Sequence, residues 1–512
     1  MKNKTNEQHK TKLINTFNFL LSLLVLLAPL FVTGVLIKAA FNATLNEFQL
    51  SSSVMWNDEL AYWHEINTFK EFGFKGGYYS IQEFVAPSTF FRYAVHGPAY
   101  AAFMGTLTRV FGWYQHSPPF YNLIFVSLGL LLFLLITKPN IPQKVFLLLA
   151  MVLCYSILYH LPSSLQESFH HLLAFIIGAV LIRLSTTKGP SIWLVVLGFL
   201  AISCGALLRV HWAIVFFPLI YLLKIKKDWK WFFLSLLIAL PIVGLFVFIQ
   251  SRWMSSSTTP FLYQLSNTDQ LTLRNLAVTF IKQVIGNIKD YLLLEYKINL
   301  IAIVQRYLIL FLSFGMFYLV LKKRNQFIIP LFILVSEVLL FLFFNDISGT
   351  DFRHFAPYVI ITILFFVTNI DFKDVKTILV LFLIFSALAW PRFQQIYLEY
   401  HEDHFNHDPS LRDARMSLSP ALASLDYDEN AIDPWCNSLI TDIRWDPTLL
   451  SIPAGIGVNY IWYEDQVVPP IRSHYLFVTP EKVEKYQLTG KVKEMQTEGG
   501  RILYEQLYDG CI

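Results

Sequence analysis

The feature that most constrains this chain is a series of long apolar runs, many of which reach the roughly 17–25 residues needed to cross a hydrocarbon core. Hydrophobic residues make up 55% of the sequence and charged residues only 15%, whereas a soluble globular chain carries about 25% charged residues. This balance excludes a soluble enzyme, a collagen, a disordered tail and a disulfide-rich mini-protein. It predicts an α-helical multi-pass membrane protein.

The runs predict about eleven transmembrane helices with a cytoplasmic N-terminus. The first run, Phe17–Ile37, follows several lysines and lacks a convincing cleavage site, so we interpret it as a retained helix rather than a signal peptide. Lys and Arg clusters fall on one side of the alternating crossings, as the positive-inside rule requires. The weakest crossing is 211–224, because it is short and contains Pro218. The predicted crossings are 17–37, 118–137, 144–160, 169–185, 191–208, 211–224, 231–250, 299–321, 326–344, 354–369 and 375–391.

An odd number of crossings places the C-terminal segment outside the cytoplasm. From Arg392 to Ile512 there are 10 Lys+Arg and 19 Asp+Glu, against 30 and 17 in the rest of the chain. A basic membrane part with an acidic end fits this topology in a plasma (inner) membrane. No basic stripe is interleaved with aromatic residues, so no nucleic-acid partner is predicted. We therefore divide the chain into a transmembrane module, 1–391, with an external loop at 39–116, and a soluble extracytoplasmic domain, 392–512.

Two external segments have further predicted structure. The stretch 97–112 is interpreted as an amphipathic helix at the outer surface, and the tail as a small α/β domain. Cys436 and Cys511 both lie in the tail, where a disulfide between them is left open. The tail has a helix start at Pro480 and strand-like runs at Ser438–Thr441, Gly457–Tyr463, His474–Thr479 and Arg501–Tyr504.

An acidic pair in the first external loop is the leading candidate for chemistry. Asp58 and Glu59 are surrounded by the aromatic residues Trp56, Tyr62 and Trp63. In such partly dry surroundings a carboxylate can act as a general base or as a cation ligand. Adjacent acids in a loop are also commonly just solvated, so this alternative stays open.

The other candidates lie at the external ends of later crossings. Glu167 opens the fourth crossing, where an ionisable residue is either functional or a simple helix cap. Arg209 and Arg353 lie outside against the positive-inside trend; the guanidinium fork suits a phosphate, although contact with lipid headgroups is an alternative. The remaining candidate binding residues are His96, Tyr100, His211 and His354.

Taken in order, these residues resemble the GT-C superfamily of polyprenyl-phosphate-dependent glycosyltransferases, which includes protein O-mannosyltransferases and the aminoarabinose transferases of lipid A. The resemblance covers most of residues 13–391. Gly97 stands where the family usually has Pro, and His354 where it usually has Tyr, which leaves the substrate class open. The matching stretches are Asp58-Glu59, His96-Gly97-Pro98-Ala99-Tyr100 with Phe111-Gly112, Glu167, Leu208-Arg209 and Asp351-Phe352-Arg353-His354-Phe355-Ala356-Pro357.

The resemblance implies a transmembrane catalytic module that transfers a hexosyl or pentosyl group from a polyprenyl-phosphate donor to an acceptor hydroxyl, with inversion. Asp58 would be the base, with Glu59 orienting it, and Arg209 and Arg353 would hold the phosphate. Some members of the superfamily use a divalent metal; here Mg²⁺ or Mn²⁺ is left open, with Asp58 as a ligand and Glu167 as a second.

Other functions remain as alternatives. A lipid-linked glycan polymerase or ligase would share the donor and the topology but lack the early acidic pair. A transporter or flippase predicts repeat symmetry and charged residues near the bilayer midplane, and neither is visible. The expected partners are membrane lipids, a lipid-linked sugar and a glycan, lipid or protein acceptor. The sugar, the acceptor and the oligomeric state cannot be derived from the sequence.

Overall fold

The structure, a computed structural model, is mostly helical and carries one mixed β-sheet. It describes residues 2–50, 57–77, 79–81, 97–154, 160–187, 189–224, 228–250, 273–292, 300–322, 327–343, 352–405, 419–443, 446–461 and 470–507.

Among the described residues, five helices are long and apolar enough to cross a membrane. They are α1 (Lys2–Phe41), α4 (Ser117–Thr137), α6 (Glu167–Thr186), α9 (Trp229–Ile249) and α14 (Lys373–Phe405), and the apolar parts of α1 and α14 are Thr11–Ala39 and Lys373–Pro391. Shorter apolar helical stretches coincide with the other predicted crossings, so the helical membrane architecture is confirmed while the count of eleven stays a prediction. They lie in α5 (Ile141–Leu153), α7 (Ile192–Leu208), the segment Val210–Leu222, α11 (Leu300–Lys322), α12 (Ile328–Phe343) and α13 (Ala356–Thr368).

Helix α6 forms the centre of the bundle. A helix that is apolar all round must be buried, and nearly every residue from Glu167 to Leu184 is buried against α4, α7 and α13. Small residues permit this close packing. A Cβ added to Gly129 would meet the Phe175 ring at 2.9 Å.

Two of the predicted crossings have different helix boundaries in the structure. The weak crossing is a 3₁₀ turn, Val210–Val215, followed by α8 (Phe216–Leu222), so its helical part is shorter than the sequence suggested. Helix α14 continues to Phe405 with Pro391 inside it, although the last crossing was predicted to end at residue 391.

Two helices outside the long apolar spans are amphipathic. The predicted surface helix is present as α3 (Ala99–Phe111), with Tyr100, Met104 and Thr108 buried and Val110 and Phe111 exposed. It ends at Gly112, whose φ of +85° suits glycine. The segment before α11 contains α10 (Leu273–Leu292).

The sheet has six strands, in the order β1-β3-β2-β4-β6-β5. Strands β1 to β4 are parallel, and β6 and β5 add antiparallel to β4. Each strand predicted in the tail is found, and the helix predicted to start at Pro480 is α16 (Pro480–Lys485). Cys436 is disulfide-bonded, and Cys511 lies outside the described residues. The strands are β1 (Tyr79–Ile81), β2 (Ser438–Thr441), β3 (Gly457–Tyr460), β4 (Tyr475–Val478), β5 (Val492–Glu498) and β6 (Arg501–Gln506); α15 (Pro420–Ala423) precedes β2.

The sheet is not built from the tail alone. Its edge strand β1 comes from the first loop and pairs with β3, with Tyr79 opposite Val458. Helix α2 (Asn57–Phe72) precedes β1 and also contacts the tail, since Thr68 Oγ1 accepts a hydrogen bond from Gly455 N at 3.0 Å. The division of the chain at residue 392 stays a prediction. In space, the first loop and the tail form one contact region, which we call the seam (57–81 with 427 and 455–460).

Candidate functional site

The candidate site forms where chain segments far apart in sequence meet at one end of the bundle. Asp58 and Glu59 occupy the first turn of α2, where a carboxylate is favoured by the helix dipole. Glu167 is the first residue of α6. Arg209 directly follows α7, and Arg353 lies in the 3₁₀ turn before α13.

Two arginines and two carboxylates form a connected ion-pair cluster. Arg209 Nη2 donates to Glu167 Oε1. Arg353 Nη2 lies 3.0 Å from Asp58 Oδ2, and Arg353 Nε lies 3.9 Å from Glu167 Oε1. The structure thus brings together four of the residues selected from the sequence.

The members of the cluster differ in exposure. The Glu167 side chain is 1% exposed and that of Arg353 is 13%, whereas that of Asp58 is 33% exposed. Among these two carboxylates, Asp58 is therefore the one that an incoming hydroxyl can reach.

The ion pairs leave polar atoms of the cluster unsatisfied. Arg209 Nε and Nη1 and Glu167 Oε2 are buried and have no hydrogen-bond partner within the described residues. Burying a polar group without a partner costs about 1–3 kcal/mol, and more for a charged one. Spare guanidinium donors in a buried position fit an anion with several oxygens, such as a phosphate.

Glu59 has surroundings unlike those of Asp58. It is fully buried, and its Oε2 accepts a hydrogen bond from Ser164 N at 3.1 Å. Ser164 Oγ in turn donates to the Glu59 carbonyl oxygen at 2.8 Å. Glu59 therefore ties the start of α2 to the segment that leads into α6.

The aromatic neighbours predicted for the acidic pair are present where the structure describes them. Tyr62 packs edge-on against Tyr100 with ring centroids 5.3 Å apart, and Trp63 stacks on Trp113 at 5.0 Å. The Tyr100 hydroxyl donates to the Leu165 carbonyl at 3.3 Å. Tyr100 thus supports the chain just before Glu167 through the backbone. Trp56 lies outside the described residues.

The predicted histidines differ in placement. His211 Nδ1 lies 2.7 Å from the Tyr358 hydroxyl, and its ring packs against the rings of Trp212 and Tyr358. His354 shares the 3₁₀ turn of Arg353 and is partly buried. His96 and Asp351 lie outside the described residues.

Helix α2 is held in place by the tail. His64 is buried and its Nε2 lies 2.6 Å from the Ile456 carbonyl oxygen. Burial lowers the pKa of His64 to about 4, although the hydrogen bond to Ile456 acts in the opposite direction. His64 is therefore neutral at pH 7, and it connects the helix that carries Asp58 to the strand that begins at Gly457.

Sequence reasoning missed several residues around the cluster. Ser164, which binds Glu59, and Tyr358, which contacts His211, were not selected. His160 is also buried, close enough for the charge of Glu167 to act on it. The polar composition of the run from His160 to His171, between two apolar helices, is the signal that could have indicated His160 and Ser164. Tyr358 gives no such signal because it lies inside an apolar helix.

A metal at Asp58 is not favoured by this donor set. Within the described ranges, no group of three or more His, Cys, Asp or Glu side chains is arranged to hold a metal ion. Asp58 faces the Arg353 guanidinium and Glu167 faces Arg209, so a cation would have to approach two positive charges.

Comparisons with known proteins bear on the fold. No family model and no curated protein matches the chain. Among solved structures, ArnT from Cupriavidus metallidurans bound to undecaprenyl phosphate is 11% identical, with a TM-score of 0.50 over 95% of this chain and 98% of that one. The chain has an ArnT-like fold. The apo form of ArnT also matches, with 11% identity, a TM-score of 0.45 and coverage of 94% and 97%. The likeness to the form bound to undecaprenyl phosphate is a likeness of fold, and it agrees with the helical membrane fold predicted from the sequence.

Proposed function

We propose that this protein is an integral membrane glycosyltransferase that moves a sugar from a polyprenyl-phosphate donor to an acceptor hydroxyl on the extracytoplasmic side. The observation that carries the proposal is the ion-pair cluster, in which two arginines meet an exposed and a buried carboxylate at one end of the bundle. The ArnT-like fold supports it, since an ArnT structure contains undecaprenyl phosphate.

In this proposal Arg209 and Arg353 bind the phosphate of the donor. The unsatisfied N–H groups of Arg209 donate hydrogen bonds to phosphate oxygens without giving up the bond to Glu167. Arg353, which is already shared between two carboxylates, turns partly towards the phosphate. These positive charges stabilise the leaving group in the transition state.

Asp58 is the base in this proposal. When Arg353 contacts the phosphate, Asp58 loses part of its counter-charge and becomes the better proton acceptor. The acceptor hydroxyl gives its proton to Asp58 while its oxygen bonds to the anomeric carbon. The bond from that carbon to the phosphate oxygen breaks, and polyprenyl phosphate leaves from the opposite face, so the configuration inverts. Glu59 acts only by fixing the start of α2.

Lipid analysis of cells that lack the protein tests the proposal and identifies the substrates. We expect a sugar-charged polyprenyl phosphate to accumulate and an acceptor to lose one sugar, as measured by intact-lipid mass spectrometry. Loss of a whole repeating glycan would favour a polymerase or ligase instead. An unchanged lipid and glycan profile, together with no undecaprenyl phosphate binding by the purified protein, would refute the transferase.

The proposed side of the membrane has its own test. Ile432 is fully exposed in the tail, so Ile432→Cys should react with an impermeant maleimide in intact spheroplasts. Asp371 is exposed between α13 and α14, and Asp371→Cys should react only after the membrane is opened. Cys154 and Cys204, the two cysteines of the transmembrane module, are replaced by alanine in both variants. The reverse labelling pattern would place the site on the cytoplasmic side.

A further inference from the structure

The segment that starts α6 contains buried polar side chains that the proposed mechanism does not use. Gln166, Ser168 and His171 are each at most 1% exposed. Within the described part of the chain, neither amide atom of Gln166, nor Ser168 Oγ, nor either ring nitrogen of His171 has a hydrogen-bond partner. Buried polar groups are normally satisfied, so three neighbouring exceptions require an explanation.

These side chains lie beside the ion-pair cluster. Ser168 and His171 are three residues apart and His171 is four residues beyond Glu167, so they are neighbours along one face of α6. Gln166 and Ser168 are two residues apart and do not face each other. The charges of both Glu167 and Arg209 act on His171. The unsatisfied atoms therefore adjoin the place proposed for the donor phosphate.

The chemistry of Ser168 and His171 indicates the kind of ligand. A hydroxyl and an imidazole are groups that together offer both donors and acceptors. A sugar hydroxyl also both donates and accepts. An ammonium group only donates and carries a positive charge, and the charges of the two nearby carboxylates are already balanced by arginines, Glu167 by Arg209 and Asp58 by Arg353.

We propose that Ser168 and His171 form the sugar subsite of the donor and bind the hydroxyls of an uncharged glycosyl group. The proposal rests on the proposed function, because the subsite adjoins the phosphate held by Arg209. It adds that the transferred sugar is neutral rather than an amino sugar. A site built to hydrogen-bond a hydroxyl discriminates strongly against a ligand that lacks it.

Equilibrium binding tests this subsite without knowledge of the acceptor. The purified full chain is titrated with undecaprenyl phosphate alone, with undecaprenyl phosphate carrying glucose, mannose or galactose, and with the same lipid carrying glucosamine or 4-amino-4-deoxyarabinose. We expect one neutral sugar to tighten binding at least tenfold over the bare lipid, and the amino sugars to add less. In Ser168→Ala and His171→Phe this gain should fall below threefold, with the affinity for the bare lipid unchanged.

Matched variants separate the outcomes. His116→Phe replaces another histidine, at the start of α4, and should retain the full gain. If His171→Phe does not fold, His171→Gln combined with Ser168→Ala takes its place. The sugar subsite is overturned if the sugar still tightens binding in these variants, or if the wild type prefers an amino sugar. In either case, binding of the bare lipid would still support the proposed function. If the wild type does not bind the bare lipid, the proposed function itself fails and the subsite fails with it.

Discussion

Two buried carboxylates in this protein each face two cations, yet their surroundings differ. In the sheet region, Asp442 is 7% exposed; its Oδ2 accepts from Lys482 at 2.5 Å and its Oδ1 from Arg501 at 2.7 Å. At the end of the bundle, Glu167 is 1% exposed and faces Arg209 and Arg353. Both oxygens of Asp442 are used, whereas Glu167 Oε2 and two nitrogens of Arg209 are unsatisfied within the described residues.

The difference teaches that charge pairing by itself does not indicate function. A saturated cluster such as that of Asp442 needs nothing more and stabilises the tail. An unsaturated buried cluster retains hydrogen-bonding capacity that only water or a ligand can use. We therefore expect substitutions in the two clusters to separate activity from stability.

The largest expected effect is on activity at Asp58. Asp58→Asn keeps the size of the side chain but removes the proton acceptor, so turnover should fall about 10²–10⁴-fold with little change in Tm. Sugar transfer by the purified protein and thermal unfolding measure the two effects. Glu59→Gln is the matched control and should cost less turnover, because Glu59 binds a backbone N–H. Near wild-type turnover in a folded Asp58→Asn would move the search for the base to Glu167.

The opposite result is expected at Asp442. Asp442→Asn leaves Lys482 and Arg501 without their counter-charge, and breaking a buried pair costs about 2–4 kcal/mol when, as here, one partner is partly exposed. The Tm should drop by several degrees, while turnover per folded molecule is unchanged. Lys493→Ala removes a more exposed cation, which is 66% exposed and 3.7 Å from Glu505, and should change Tm little. A loss of turnover per folded molecule in Asp442→Asn would contradict the proposed difference between the two clusters.

A smaller effect is expected at Arg353. Arg353→Lys retains the charge but loses the bidentate fork, so binding of undecaprenyl phosphate should weaken about tenfold, or by about 1.4 kcal/mol. Binding to the purified protein is measured directly, with Arg109→Lys as a control, since Arg109 donates to backbone carbonyls of α2 instead. Equal affinities for the Arg353→Lys variant, the Arg353→Ala variant and the wild type would favour contact with headgroups over a phosphate site.

The smallest effect concerns the seam between the two regions. His64 has a folded-state pKa of about 4 against 6.5 for the ordinary side chain. The unfolded state therefore binds the extra proton first, and stability falls as the pH drops from about 6.5 towards 4. Between pH 7 and 5.5 the expected loss is about 1 kcal/mol, measured as Tm against pH. His64→Gln retains a donor for Ile456 but cannot titrate, so its Tm should vary less over this range.

Local patterns predicted the elements of the fold well. The apolar runs predicted the membrane helices because their length depends only on nearby residues, and strand-like runs predicted four strands of the tail, although β5 was not predicted. The sequence did not predict that β1 joins the sheet of the tail, because Tyr79 and Val458 are paired by long-range packing. Likewise, the sequence did not predict that the weak crossing begins with a 3₁₀ turn, Val210–Val215, before the short helix that contains Pro218.

The candidate site was predictable in part for the same reason. Arg209 and Arg353 were selected because their charges run against the positive-inside trend, Asp58 because it belongs to an acidic pair beside aromatic residues, and Glu167 because it is an ionisable residue at a helix end. The role of each residue depends on partners that are far away in the sequence. Glu59, unlike its neighbour Asp58, is bonded to Ser164, more than a hundred residues away.

The seam has a consequence for protein engineering. Gly455 in the tail has a φ of +95°, and a Cβ there would lie 3.0 Å from the Phe72 ring of α2, while a Cβ at Gly77 would lie 2.2 Å from Gly457 N. These contacts leave no space for larger side chains where the first loop meets the tail, so the sequences of the two surfaces cannot change independently. A chimera that exchanges the tail with that of a distant homologue must therefore carry residues 57–81 along with it, so the smallest exchangeable cassette is discontinuous in sequence and includes the helix that bears Asp58.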